Sequence, residues 1–525
     1  MPINKLKCPQ CGKPAVTKKE YTVGGLSFKT YECGHTETVK ELKASDFAGF
    51  QSYDNHRPMP FQVQGALHVI KSGGRALILD EQGLGKTVQF CMVLWSHPKE
   101  MCRSLILCKA GLKVQLSREI PRWCGEDWIP QIVGSENDYI VPGTKVLILS
   151  FDTLWRFKDI PGWMQKYKIK SICLDEVQHI KNGDSKRTVG VQLACREVPY
   201  VIGLSGTPIK NHAGEYFNIL NIVRPDKFRE RSNFGQVWVD TYWNGKTMKY
   251  GGIKDLQAFD NYTKDFIIRR TRNQVMPELP NVTRMFRFSE LGSVVEEAYK
   301  NTLKEFQEYY NYGSAGDSAI VRQSNILAYL AKMRHITGIS KVESVVDYVD
   351  DFINETDRKI VIFAHHLDVG NALMSRLSEL RMADPQTWGC PVLSIQGISA
   401  DKRAPIVDLF ARDGYRILIA GETSSAEGLN LQFCSDTVLM ERQWNPANEE
   451  QVEGRFIRIG QKMNKVNAMY PIAVGTVDEF FSELVEKKRS YCNLDPTKKV
   501  VWSESSLIQE LAEVLAMSGG RKWGW

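Results

Sequence analysis

The chain has 525 residues, 43% of them hydrophobic and 25% charged, with a net charge of +7 at neutral pH. That length predicts roughly three domains and enough apolar material for several cores. No apolar run approaches the ~18 residues of a membrane helix, and MPINKLKCPQ at the start has no apolar signal core, which predicts an intracellular protein. The basic excess is spread along the chain and suits a polyanionic partner without demanding one.

The N-terminal segment holds a pair, a gap and a second pair: Cys8 and Cys11 in CPQC, then Cys33 and His35 in YECGH. Zinc takes four soft or borderline ligands in a tetrahedron, and two knuckles joined by a hairpin supply them. The intervening VTKKEYTVGGLSFKTYE alternates in polarity around Gly-Gly and predicts that hairpin. So small a module needs a metal staple to fold. The other nine cysteines are scattered singly, Cys91, Cys108, Cys173 and Cys434 in apolar segments, as buried free thiols in a reducing compartment would be.

From about residue 60 short apolar strands alternate with amphipathic helices. RALILD, SLILC, KVLILSF, SICLDE and YVIGLS form one series; KIVIFAHH, PVLSIQG, RILIAG and TVLMER form a second from residue 359. Such alternation predicts two α/β doubly wound lobes with parallel sheets. Residues 286–340 read as a helical connector and SSLIQELAEVLA as a helix near the C-terminus. The predicted division is 1–45 metal module, 46–285 first lobe, 286–340 connector, 341–490 second lobe, and 491–525 a helix with the basic aromatic tail GGRKWGW.

DEQGLGKT follows the first strand and opens a helix. A strict phosphate loop begins with glycine where this chain has Asp80, but Gly83, Leu84, Gly85, Lys86 and Thr87 keep its core. Backbone N–H groups at the helix start can cradle phosphates, Lys86 can reach the β and γ phosphates of ATP, and the Thr87 hydroxyl can ligate magnesium. About ninety residues later LDEVQH ends a strand: Asp175 is placed to hold the magnesium and Glu176 to activate water. Gln62, upstream, has the paired donor and acceptor that can read adenine. In NEEQVEGRFIRIGQ, Gln451, Arg455 and Arg458 fall on one helical face, so the second lobe can supply arginine fingers across the cleft.

With these pieces in place the chain resembles the Swi/Snf-type DNA translocases of helicase superfamily two over residues 55–490, and within them the annealing-helicase subgroup and small bacterial or phage members. LSGTPIKN followed by FIIRRTRNQVMPELP, and WNP leading into GRFIRIGQ, are the most specific markers. The resemblance implies two RecA-like lobes around an ATP cleft, double-stranded or branched DNA lying across both, and coupling roles for Gly428 and for Ser205 to Thr207. It points to His179 as a further coupling residue, although the motif reads DEVQH rather than DEAH or DESH. Gln82 replaces a usual methionine, expected to be harmless in a loop read through its backbone; Lys109 replaces a usual proline or threonine.

Motif position implies phosphate contacts from Lys109, Lys113, Lys181, Asn182, Lys210 and Asn211 in the first lobe and from Ser394, Gln396, Arg403, Ser424 and Ser425 in the second. Trp444 is expected to pack under the finger helix. The tail and the metal module are candidate sites for a protein partner, and the tail's tryptophans could instead stack on unpaired bases. The expected activity is ATP-driven translocation on duplex DNA in the cytoplasm of a bacterium or phage-infected cell; strand separation and ATP-gated binding are the competing readings.

Overall fold

The computed structural model describes residues 17–23, 26–31, 36–39, 42–97, 101–196, 198–206, 213–243, 248–313, 317–421, 429–443, 446–494 and 504–517, with backbone only before residue 42. Cys8, Cys11, Cys33, His35, Thr207, Lys210, Asn211, Ser424, Ser425, Gly428, Trp444 and the GGRKWGW tail lie outside the described residues. Between the zinc candidates, β1 (Thr17–Val23) and β2 (Leu26–Tyr31) form the expected antiparallel hairpin, and β3 (Thr36–Val39) pairs with β2.

The first lobe is built on β4 (Arg75–Ile78), β5 (Ser104–Cys108), β6 (Gln131–Ile132), β7 (Val146–Ser150), β8 (Ser171–Asp175), β9 (Tyr200–Leu204) and β12 (Ile267–Ile268). They form one parallel sheet in the order β12-β4-β9-β8-β5-β7-β6. SLILC and VLILS are buried at every position because helices cover both faces of a parallel sheet. Alternate residues serve opposite cores: Leu77, Leu105, Leu147 and Ile172 pack on one side, and Ala76, Ile106, Ile148 and Cys173 on the other. Cys91, Cys108, Cys173 and Cys434 are buried free thiols. A hairpin of β10 (Val239–Trp243) and β11 (Met248–Ile253) is inserted before β12.

The second lobe is a parallel sheet of β13 (Asn281–Ser289), β14 (Ile360–Ala364), β15 (Leu393–Ser394), β16 (Ile417–Gly421), β17 (Asp436–Leu439) and β18 (Lys465–Ala473), in the order β13-β18-β17-β14-β16-β15. The division expected after residue 285 falls inside β13, whose nine residues all pair with β18. The polar, half-exposed NVTRMFRFS has no continuous apolar run, because it is an edge strand.

Helices Ser293–Glu308 and Ala319–Ser340 form the connector and pack against Val477–Leu494 and Glu504–Met517. Ile508, Leu511, Ala512 and Leu515 give the last helix its apolar stripe, and the Gln307 amide donates to the Leu515 carbonyl at 2.9 Å. Among the described residues no helix is long and apolar enough to cross a membrane.

Leu511 is fully buried where these helices meet. Leu511→Ala should lower unfolding free energy by about 2–4 kcal/mol in a denaturant titration; an unchanged midpoint would mean that the last helix is not packed on the bundle.

Candidate nucleotide site between the lobes

The phosphate loop leaves the carboxyl end of β4, the edge at which open parallel sheets bind ligands. Gly83 and Gly85 have φ of 86° and 71°, a left-handed backbone that glycine adopts without strain, and the helix Lys86–Ser96 starts directly after them. Lys86 Nζ donates to the Asp80 and Glu81 carbonyls at 2.8 and 3.3 Å, which holds its ammonium inside the loop. Burial lowers the Lys86 pKa, opposed by Glu176, Asp80 and Asp175. Leu84 is buried against Phe61 and Met276, and Thr87 is half-buried at the first turn of the helix.

The buried Gln62 amide joins two pieces of this region. Its Oε1 accepts the Met59 N–H at 2.9 Å, capping the helix Pro60–Lys71, and its Nε2 donates to the Leu84 carbonyl at 3.0 Å. One amide hydrogen and one oxygen lone pair stay available for a base edge.

Asp175 ends β8 and Glu176 follows with φ of 56°, one of the few non-glycine residues in the left-handed region. Their environments drive the two carboxyls apart. Burial and the adjacent Glu176 raise Asp175 to about 7, against Lys86 and Arg455. Burial also works against ionised Glu176, but Lys86, the Gln178 amide and Arg455 outweigh it and hold its pKa below the usual value. Lys86, Thr87, Asp175 and Glu176 thus offer an ammonium, a hydroxyl and two carboxyls at a helix N-terminus, a donor set that fits a magnesium nucleotide.

The helix Pro446–Glu453 stops before Arg455 and Arg458, so the expected single helical face of Gln451, Arg455 and Arg458 is not formed. The arginines ride on the irregular turns that follow, and both still reach the site electrostatically. Arg455 is buried and acts on both carboxylates. Arg458 donates from Nη1 to the Asn430 side chain and from Nε to the Gly454 carbonyl at 3.4 Å. Burial and neighbouring Arg455 pull its pKa down to about 9, against Glu119 and Glu176. The lobes touch here: a Cβ on Gly83 would sit 2.3 Å from the Ile457 carbonyl oxygen of the second lobe.

The SNF2-related domain matches residues 61–339, more than half of the chain, and the helicase conserved C-terminal domain matches residues 340–460. The chain belongs to the SNF2-related family. It is 25% identical over 445 residues to the human DNA annealing helicase and endonuclease ZRANB3, covering 82% of this chain and 39% of that protein. It is 25% identical to an uncharacterized ATP-dependent helicase of Mycoplasma genitalium, MG018, covering 91% of this chain and 46% of that one. The SNF2 chain therefore spans less than half the length of these relatives. Among solved structures it is similar to the Sulfolobus solfataricus SWI2/SNF2 ATPase core in complex with dsDNA, at 20% identity and a TM-score of 0.40, covering 91% of this chain and 98% of that one.

Two features of this SNF2 chain depart from the expectation for the site. Gln178 is a side chain that links Glu176 to the next motif. Gln178 Nε2 donates to Glu176 at 2.7 Å, and its Oε1 accepts the buried Ser205 hydroxyl at 2.7 Å. DEVQ, not DEVQH, is thus the counterpart of DEAH, with Val177 fully buried in the alanine position. Gln82 also acts through its side chain. A Cβ on Gly206 would meet Gln82 Cγ at 2.6 Å, and one on Gly454 would meet Gln82 Oε1 at 2.9 Å, so the side chain fills the space between the lobes.

The candidate DNA residues divide. Lys109 and Lys113 are half-buried at the start of the helix Lys113–Cys124. This helix and Ala400–Phe410 of the second lobe flank a crevice of about 130 Å³ lined by Gln115, Arg118, Arg403 and Asn430. Arg403 also donates to the Ile398 carbonyl at 2.7 Å. Lys181 pairs with Glu215 at 2.6 Å, and with exposed Asn182, His179, Lys186 and Trp155 it lines a groove of about 460 Å³. Ser394 Oγ accepts the Gln396 N–H at 3.3 Å. Gln396 Nε2 donates to the Ala364 and His366 carbonyls at 3.1 and 3.0 Å, so this amide holds the turn after β14.

Gln178→Leu keeps the volume and removes both hydrogen bonds. It should lower kcat for ATP about 10- to 100-fold, with nucleotide and DNA affinities within about twofold of wild type. An unchanged kcat would remove Gln178 from the linkage.

Proposed function

We propose that this chain is an ATP-dependent double-stranded DNA translocase that uses hydrolysis to remodel DNA junctions or protein–DNA complexes. The observation that carries the reading is the convergence of Arg455 and Arg458 from one lobe on Lys86, Asp175 and Glu176 of the other. A site completed only when two lobes meet can convert nucleotide turnover into lobe movement. The family membership and the names of the relatives, an annealing helicase and an ATP-dependent helicase, support ATP and DNA as ligands.

In this reading the amides of Gly83 to Thr87 and Lys86 bind the phosphates. Thr87 and Asp175 hold magnesium, which polarises the terminal phosphate when bound. Glu176, kept ionised, takes the proton of the attacking water, while Arg455 and Arg458 face the charge that develops on the transferred phosphoryl group. Gln62 orients the base. Gln178 and Ser205 hold Glu176 in line and connect it to the segment leading to Lys210 and Asn211. DNA would lie along Lys109, Lys113, Lys181 and Asn182 of one lobe and Ser394, Arg403, Ser424 and Ser425 of the other, with Gln396 shaping that surface from behind. Cys8, Cys11, Cys33 and His35 would hold zinc in a ribbon, a site for DNA or a protein partner.

Steady-state hydrolysis with duplex, forked and single-stranded DNA and with RNA tests the motor. Duplex or forked DNA should stimulate by about tenfold or more, falling steeply with salt as counterion release requires; stimulation by single strands or RNA alone would favour strand separation. Lys86→Ala should abolish turnover, and wild-type rates in that variant would overturn the site. Elemental analysis should find one zinc per chain, lost in Cys8→Ser; a metal-free, folded wild type would overturn the ribbon.

A further inference from the structure

The IIRRTR segment marks the family but has no part in the chemistry above. It leaves the first lobe as edge strand β12, and its ladder continues alongside the phosphate loop: Leu79 N–H donates to the Ile268 carbonyl at 2.8 Å and Glu81 N–H to the Arg270 carbonyl at 2.9 Å. Arg270 Nε and Nη2 then grip the fully buried Asp80 carboxylate at 3.0 and 2.5 Å. The same guanidinium donates to Gln89 Oε1 at 3.0 Å and to the Phe61 carbonyl. It therefore ties together the helix of Gln62, the entry to the loop and the helix that follows the loop. Two residues on, Arg272 donates from its backbone N–H and its Nε to the Glu81 carboxylate at 2.7 and 2.6 Å.

The chain then passes to the other lobe without leaving the loop. Val275, Met276 and Leu279 pack with Phe61, Leu84 and Ile459, the neighbour of Arg458, before β13 begins at Asn281. Asp80 stands where the strict loop has glycine, and it is an anchor for Arg270 rather than a turn residue. Arg272 also neutralises Glu81, which otherwise sets a negative charge beside a loop built for phosphates.

We infer that the crossover between the lobes, residues 268–281, sets the shape and charge of the phosphate loop, with Arg270 and Arg272 as positioning residues for nucleotide binding. The inference rests on the reading of that loop as the ATP site. Loss of either contact loosens amides that must converge on one phosphate group, so it acts on nucleotide affinity and leaves the DNA surface alone.

The half-exposed Arg272–Glu81 pair gives the test, since its exchange leaves the core intact. Calorimetric titration with a non-hydrolysable magnesium–ATP analogue, duplex-DNA anisotropy and thermal melting would be measured on wild type, Arg272→Glu, Glu81→Arg and the double exchange. Arg272→Glu, which breaks the clamp and leaves two negative charges beside the loop, should weaken nucleotide binding about tenfold and raise the KM for ATP, with kcat and DNA affinity within about threefold; Glu81→Arg breaks the clamp but adds a positive charge, and should weaken it less. The double exchange should recover most of the loss. Arg270→Lys, which keeps the charge but not the fork, should weaken nucleotide as Arg272→Glu does. Nucleotide affinity unchanged in Arg272→Glu, a double exchange no better than that variant, or parallel loss of DNA binding would overturn the inference. A wild type that binds DNA but no nucleotide would overturn the ATP reading itself.

Discussion

Asp175 and Glu176 are adjacent, half-buried and of like charge, and partial burial tolerates that only if cations are close. Lys86 comes from the same lobe, while Arg455 and Arg458 come from the other. The cations that offset the acid pair come from both lobes, so its electrostatics favour the meeting of the lobes. Asp175, raised to about 7, shows that the compensation is incomplete when only protein charges contribute. A divalent cation held at Asp175 would complete it, coupling metal, nucleotide and lobe contact.

The helix Pro446–Glu453, which leads to Arg455 and Arg458, is held by a buried ionic lattice. Glu449 pairs with Arg442 and Arg489, and Glu453 with Arg284 of β13. Arg442 and Glu449 are almost wholly buried. Such a lattice adds little net stability but fixes geometry, because a displaced member leaves an uncompensated charge. It joins the helix before the fingers to Val477–Leu494, and through that helix to the connector bundle. The segment that carries Arg455 and Arg458 is thus registered on the helical bundle as well as on the sheet.

Much of this was readable in the chain. KVLILSF and KIVIFAHH announce strands because parallel strands buried on both faces are continuous apolar runs, and GLGKT and DE announce their chemistry through fixed spacing. β12, β13 and β18 gave no such signal. β12 has two paired residues, β13 is a polar edge, and β18 contains Pro471, which lies beyond the β17 ladder. At the site, the helical spacing of Gln451, Arg455 and Arg458 misled because the helix ends at Glu453. Gln178 carries little signal beside the following histidine, and the partners of Gln396, the carbonyls of Ala364 and His366, are backbone groups that no motif spells out. The expected roles of Gly428, Lys210 and Ser424 rest on the family resemblance alone.

Gln82 stands between Gly206 and Gly454, one from each lobe. With hydrogen as the side chain on both walls, the gap at that point has the thickness of whatever residue 82 carries. The side chain works as a spacer, and its length limits how near the lobes approach. A methionine there, of similar length but without the amide, keeps the gap and removes the polar groups facing it. A shorter residue lets the walls advance, and a side chain on either glycine pushes them back. The fit of the cleft is therefore a property of three positions jointly, and substitutions at 82, 206 and 454 have to be read as one change in thickness rather than three separate changes.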